Sequence, residues 1–125
     1  ERFKSVDDLR DKVVGVQMGS ASEQIADKME GLKEVRRFNY NPEAFLDLQN
    51  KRIDALIVGY AYAVNQIRTT SGDFHILGEV GEPSEIVMVL KKDSSSLTDA
   101  LNAALKELRE SGKYDEILKK WLAAD

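Results

Sequence analysis

Small and polar residues follow the first predicted strand, at the position where open α/β sheets bind their ligands. Gln17 follows that strand directly, and residues Gly19–Ser22 lead into a helix. Free backbone N–H groups at such a helix start bind carboxylate or phosphate groups. The same residues also fit a purely structural role, in which Ser20 caps the helix and Glu23 completes a capping box. The sequence alone leaves both interpretations open.

Two further segments follow predicted strands and belong to the same candidate region. They are Asn39–Asn41, after the second strand, and Gly59–Tyr62, after the third. Tyr60 and Tyr62 are suited to line an apolar mouth, although an aromatic residue in an alternating pattern also packs readily against a helix. Either arrangement agrees with the pattern.

The residues that common catalytic or cofactor sites require are missing from these positions. Neither a P-loop nor a dinucleotide-binding glycine pattern follows the first strand. A receiver domain needs acidic residues at the ends of the first and third strands to hold Mg²⁺, but Gln17 and Gly59 stand there. The chain has one histidine, His75, and no cysteine. We therefore expect no enzyme, no metal site and no cofactor.

The composition is that of a globular domain without a polyanion partner. The chain has 125 residues, of which 42% are hydrophobic and 32% charged, and its net charge is −4. Because it contains no dense basic block, we expect no nucleic-acid binding. Its longest weakly polar run, Ala55–Val64, has about half of the ~20 residues that a membrane-spanning helix requires. We expect no membrane insertion, and the start of the chain suggests a mature, truncated or engineered protein.

Strands and helices are predicted to alternate along the chain. Apolar or β-branched runs predict strands at Val13–Val16, Val35–Asn39, Ala55–Val58, His75–Gly78 and Ile86–Leu90. Helical spacing of apolar residues predicts helices between Ser20 and Gly31, from Asn41 (as N-cap, with Pro42 next), over Ala61–Thr70, over Leu97–Leu108 and over Tyr114–Leu122. This alternation predicts an α/β fold with a parallel sheet covered by helices on both faces, a three-layer α/β/α sandwich.

Three segments in this order and spacing resemble the type II periplasmic solute-binding proteins for polar amino acids, the bacterial extracellular family 3. They are Val6–Ser20, Ala44–Ala55 and Leu105–Trp121, the last with the pattern Gly-x-Tyr-Asp-x-Ile-x-x-x-Trp. The resemblance covers nearly the whole chain. It implies a flavodoxin-like single lobe of a periplasmic-binding-protein fold, namely the second lobe and the C-terminal return segment, without the first lobe.

The resemblance also implies a ligand-binding role for particular residues. Gln17 would select the ligand side chain, and Ser20 with its neighbouring N–H groups would hold the ligand carboxylate. The aspartate that pairs with the ligand ammonium in the family falls at Gly59, which has no charge. The candidate ligand-binding residues are Gln17, Gly19, Ser20, Ala21, Ser22, Gly59, Tyr60 and Tyr62.

We expect a single α/β domain over residues 1–125. Residues 1–85 would form the core of the second lobe, and residues 86–125 a C-terminal strand and two helices that fold back or swap into a homodimer. The favoured function is a non-catalytic solute-binding lobe of amino-acid ABC transport, with weak or no affinity in isolation. Its partners would be a small polar amino acid, the missing first lobe and a membrane transporter, in the periplasm or outside the cell. The alternative is an engineered or truncated flavodoxin-like scaffold without a ligand, which includes the domain-swapped dimer.

Overall fold

A computed structural model describes residues 3–72, 74–83 and 85–123. The strands are β1 (Val13–Gln17), β2 (Glu34–Phe38) and β3 (Ala55–Leu56). The helices are α1 (Ala21–Ala26), α2 (Asn41–Gln49), α3 (Tyr60–Thr69), α4 (Ser95–Glu110) and α5 (Lys113–Leu122), and a short 3-10 helix spans Val6–Leu9. The α/β fold with a parallel sheet is thereby confirmed.

The three strands of the sheet lie in the order β2-β1-β3, and both pairs are parallel. Val16 of β1 lies opposite Arg37 of β2, and Gly15 lies opposite Leu56 of β3. Helices connect successive strands, as parallel pairing requires. All three strands therefore end at the same edge of the sheet, where the candidate residues follow them.

The core lies on both faces of β1. Val14 and Val16 are fully buried and form a cluster with Leu9, Ala26 and Ile57. A methyl group on the intervening Gly15 would face Ile53 and Phe38 on the other side of the sheet. Apolar residues on both sides of a strand are typical of the centre of a parallel sheet.

Two of the five predicted strands are wrong. Residues 75–78 and 86–90 contain no strand. Leu77 packs its side chain against the core cluster, whereas Ile86 and Val89 are 98% and 91% exposed. Apolar and β-branched composition favours an extended backbone, but a strand forms only where a neighbouring strand supplies hydrogen bonds.

Several predicted boundaries also differ from the structure. The third strand is shorter than Ala55–Val58 and consists of Ala55–Leu56. Tyr40, not Asn41, is the N-cap of α2, so that Pro42 stands one position further into the helix, where its missing N–H still costs no hydrogen bond. Helix α1 ends at Ala26, before Gly31, which adopts a positive φ in the following turn. After Ala26 the N–H groups of Lys28 and Met29 donate to carbonyls three residues back, so the chain leaves the α-helix through tighter turns.

The described residues divide into two compact units, with the boundary between Glu82 and Pro83. The first unit contains the sheet and α1–α3. The second contains α4 and α5, which pack against each other and are joined at Gly112, a residue with φ +76°. Neither α4 nor α5 has a buried residue, and Trp121 is 61% exposed. The predicted single domain, with a division at residues 85 and 86, stays a prediction.

Candidate functional site

The loop after β1 is held by hydrogen bonds among its own residues. The amide nitrogen Nε2 of Gln17 donates to the carbonyl oxygen of Asn39, 3.0 Å away, which joins the ends of β1 and β2. The hydroxyl of Ser20 donates to the carbonyl of Gln17 at 2.7 Å and accepts the N–H of Glu23 at 3.2 Å. Gly19 has φ +72°, a conformation that favours glycine. The loop is therefore a defined turn.

The predicted capping box at Ser20 and Glu23 forms only in part. Ser20 is the N-cap of α1 and accepts the N–H of Glu23, as the prediction requires. The carboxylate of Glu23, however, accepts the N–H of Gly19 at 2.6 Å, whereas the N–H of Ser20 donates to the carbonyl of Gln17. The capping interaction thus extends one residue further into the loop than the motif predicts.

Arg37, which sequence reasoning did not identify, connects β2 to this loop. Its Nε donates to Oε1 of Glu23 at 2.5 Å, and its Nη2 donates to Oδ1 of Asp27 at 2.6 Å. The N–H of Gly19 and the guanidinium of Arg37 lower the pKa of Glu23. A sequence signal did exist, because Glu23 and Asp27 are four residues apart and so share one face of a helix that follows a strand.

The segment after β3 is open to solvent at its start. Gly59 is the N-cap of α3, is exposed, and supplies no side-chain hydrogen bond to the helix. A β-carbon built on Gly59 meets no atom within 4 Å, and φ is −59°, so any residue fits there. Tyr60 is 44% exposed. The hydroxyl of Tyr62 is buried without a hydrogen-bond partner among the described residues, and burial raises the pKa of Tyr62.

The sheet brings these predicted residues to one edge but does not enclose them. The candidate residues follow the carboxyl ends of β1 and β3, which are neighbours. Two cavities lie elsewhere: one of about 370 Å³ beside Leu105 and Arg109 of α4, and one of about 220 Å³ beside Leu9 and Met29. Neither of these two cavities is lined by a candidate residue.

This edge offers hydrogen-bond donors, an amide and phenol rings. Over residues 3–72, 74–83 and 85–123, no group of three histidine or acidic side chains is placed to hold a metal ion. His75, the only histidine of the chain, is exposed. Such groups contact small polar ligands in many proteins, and the ligand-binding role of these residues stays a prediction.

The sequence pattern of the bacterial extracellular solute-binding proteins, family 3, matches residues 2–124. The chain belongs to this family. The resemblance seen in the sequence is thereby confirmed. Members of the family are extracellular or periplasmic solute-binding proteins that take part in transport, and they are not enzymes.

Three known proteins show how far the similarity extends. The L-cystine-binding protein TcyJ of Escherichia coli (strain K12) is 31% identical over 98% of this chain and 46% of its own length. The ABC transporter glutamine-binding protein GlnH of Bacillus subtilis is 30% identical over 99% of this chain and 45% of its own length. A solved structure of an ancestral arginine-binding protein bound to glutamine is 36% identical and has a TM-score of 0.73, over 100% of this chain and 56% of that one. The chain thus spans about half the length of these proteins.

Within the part of the chain that the structure describes, no helix has the length and apolar character needed to cross a membrane. Even α4, the longest helix, carries charged residues along its length.

Proposed function

We propose that this chain is the second lobe of an amino-acid-binding protein that serves an ABC transporter. The observation that carries the proposal is the arrangement of the sheet, which brings the loops after β1 and β3 to one edge. The matched relatives are about twice as long, which supports a site completed by a second lobe. Closure of two lobes around a solute is a common way for such proteins to signal occupancy.

The proposed ligand is a small polar amino acid. Its carboxylate would accept N–H groups from Ala21 and Ser22, since the first N–H groups of a helix have no partner within the helix. The N–H of Ser20 already donates to the carbonyl of Gln17. Gln17 would contact the ligand side chain, and Tyr60 and Tyr62 would line the neighbouring wall. Gly19 would provide the turn.

Affinity of the isolated chain is expected to be weak. Gly59 supplies no counter-charge for the ligand ammonium, and a desolvated charge without a partner is unfavourable. A single lobe would also contact only one side of the ligand and leave most of the ligand surface exposed to water. The chain by itself would act as a binding lobe without catalysis, in the periplasm or outside the cell.

Residues 83–125 are proposed to pack against the first lobe in the intact protein. Ile86, Val87, Met88 and Val89 are exposed in the structure, as are Leu97 and Trp121. An apolar surface of this kind favours a protein partner. The same exposure favours one alternative, in which the chain associates with itself as a scaffold without a ligand.

The experiment is a two-dimensional amide NMR titration of this chain with L-glutamine, L-arginine and L-cystine. We expect saturable shifts confined to residues 17–22 and 59–62 with at least one of the three. Amide shifts that do not change with any of the three amino acids would contradict the proposal and favour the scaffold.

A proline at position 21 tests the carboxylate contact. Ala21 is the first residue of α1, and Ser20 before it is extended, with φ −93° and ψ 165°, so Ala21→Pro fits the backbone. It removes one N–H donor, and we expect amino-acid affinity to fall by about tenfold, or ~1.4 kcal/mol. Ala21→Ser keeps the N–H and serves as the matched control. Equal affinity of the two variants would place the carboxylate elsewhere.

A further inference from the structure

The two carboxylate oxygens of Glu23 have different partners. Oε2 accepts the N–H of Gly19 at 2.6 Å, and Oε1 accepts the Nε–H of Arg37 at 2.5 Å. Glu23 therefore links a loop residue directly to a strand residue. Its side chain is only 18% exposed, which restricts competition from water more than at a fully exposed ion pair.

Arg37 is held in place by more than Glu23. Its backbone belongs to β2 and lies opposite Val16 in the sheet. Its Nη1 donates to the carbonyl of Val35 at 3.2 Å, and its Nη2 donates to Asp27 at 2.6 Å. A planar guanidinium with several partners loses less freedom for each hydrogen bond than a flexible ammonium does. The carboxylate of Glu23 is thus fixed relative to the sheet.

We infer that Arg37 is a positioning residue that orients the loop Gly19–Ser22 toward the ligand by holding Glu23. The inference rests on the proposed function, because it concerns the loop assigned there to the ligand carboxylate. Glu23 occupies the N–H of Gly19 and fixes this residue in its left-handed conformation. The N–H groups of the loop residues after Gly19 are then already oriented before a ligand binds, which reduces the entropy cost of binding.

Arg37 also changes the electrostatics that an incoming anion meets. An unpaired Glu23 carboxylate beside the loop would repel a ligand carboxylate. The guanidinium of Arg37 offsets that charge at hydrogen-bond distance. Loss of Arg37 would therefore both loosen the loop and leave a repulsive charge next to it.

The neighbouring residue Arg36 provides a matched control. It pairs with Glu34 on its own strand, with 2.9 Å between Nε and Oε1, and donates to the carbonyl of Arg52. It makes no described contact with Glu23 or the loop. Arg36→Gln and Arg37→Gln thus remove the same charge from adjacent positions of one strand.

The first measurement follows the Gly19 amide by NMR as the pH is lowered. Among the described residues, the charged groups around Glu23 are Arg37 from β2, which pairs with it, and Asp27 at the C-cap of its own helix, which also binds Arg37. Because Gly19 and Arg37 lower the pKa of Glu23, its carboxylate stays ionised below the ordinary range, and the Gly19 signal shifts only when that carboxylate takes up a proton. We expect Arg37→Gln to raise the midpoint of this shift, Arg37→Lys to restore it in part, and Arg36→Gln to leave it unchanged. A Gly19 midpoint that is the same in Arg37→Gln and Arg36→Gln would overturn the inference.

The second measurement is the amino-acid titration of the same variants with L-glutamine, L-arginine and L-cystine. We expect Arg37→Gln to weaken binding by about threefold to tenfold relative to Arg36→Gln, in the range of a single typical hydrogen bond. Equal binding by both variants would show that Arg37 does not position the loop for a ligand. If the unchanged chain binds none of the three, the proposed function fails, whereas the Gly19 titration still decides whether Arg37 holds the loop.

Discussion

Gly59 is the residue at which the chain departs from what the family resemblance implies. The resemblance places an aspartate there, opposite the ligand ammonium, and the chain has a glycine. The structure shows no steric reason for glycine, because the backbone has φ −59° and a β-carbon meets no atom within 4 Å. The backbone and the space at position 59 therefore accept an acidic side chain, and a single substitution can supply the missing charge.

We expect Gly59→Asp to increase both stability and amino-acid affinity. Gly59 is an N-cap without a side-chain hydrogen bond, so an aspartate would accept an N–H of α3 and place a negative charge at its N-terminus. The free energy of unfolding should rise by a few tenths to about 1 kcal/mol at neutral pH. Urea unfolding and the amino-acid titration measure the two effects.

Two controls separate the cap from the charge. Gly59→Asn keeps the capping oxygen without the charge and should stabilise α3 but not improve affinity. Gly59→Ala has neither and should destabilise α3. An aspartate variant that binds amino acids no better than the asparagine variant would show that position 59 does not face the ligand ammonium.

At the scale of elements, β1 positions the site through its central place in the sheet. It pairs with β2 and β3, and both faces are covered. Gly15 lies in the middle of this strand, where a β-carbon would stand 2.5 Å from Cδ1 of Ile53 and 3.2 Å from Cε2 of Phe38. Close packing over Gly15 explains why a strand otherwise rich in valine has a glycine there.

We expect Gly15→Ala to lower the free energy of unfolding by about 1 to 3 kcal/mol, because the added methyl group overpacks the core. Ile53→Val removes the contacting Cδ1 and should cost about 0.5 to 1.5 kcal/mol alone. In the double variant the alanine should cost less than in the single variant, and denaturant unfolding of all four proteins measures the difference. Strictly additive costs would mean that Ile53 does not limit the space over Gly15.

At the scale of the whole molecule, the segment before α4 exposes an apolar surface. Ile86, Val87, Met88 and Val89 are consecutive and exposed. An exposed apolar segment of this composition, in which the described residues form no strand, favours pairing with another chain. In the proposed intact protein, the first lobe would cover it.

We expect the chain to associate with itself as its concentration rises, and the double variant Ile86→Lys/Val89→Lys to reduce this association. Two charges in an exposed apolar segment oppose strand pairing between chains. Sedimentation velocity over a concentration series measures the effect. Leu46→Lys, at an exposed apolar position of α2, is the control and should associate like the unchanged chain. Association that persists in the double variant would place the contact outside residues 86–89.

The sequence by itself determined the family, the α/β class and the approximate positions of the helices and first three strands. These follow from residue order and local spacing: apolar runs in β1 to β3, a stripe of leucines in α4, and Ser20 before α1. Patterns of this kind extend over only a few residues, so they can be recognised in the sequence alone. The candidate ligand-binding residues stay a prediction, although the structure brings them to one edge of the sheet.

Only the tertiary structure decided which segments pair and which side chains meet. Residues Ile86–Leu90 have the composition of a strand but form none, because a strand needs a neighbouring strand for its hydrogen bonds and composition does not specify one. Arg37 reaches Glu23 across fourteen positions of the chain, and this contact exists because β2 lies beside β1 and α1, which follows β1, packs against it. Contacts between residues far apart in the chain depend on how the elements pack, and no pattern of neighbouring residues in a single sequence reveals that packing.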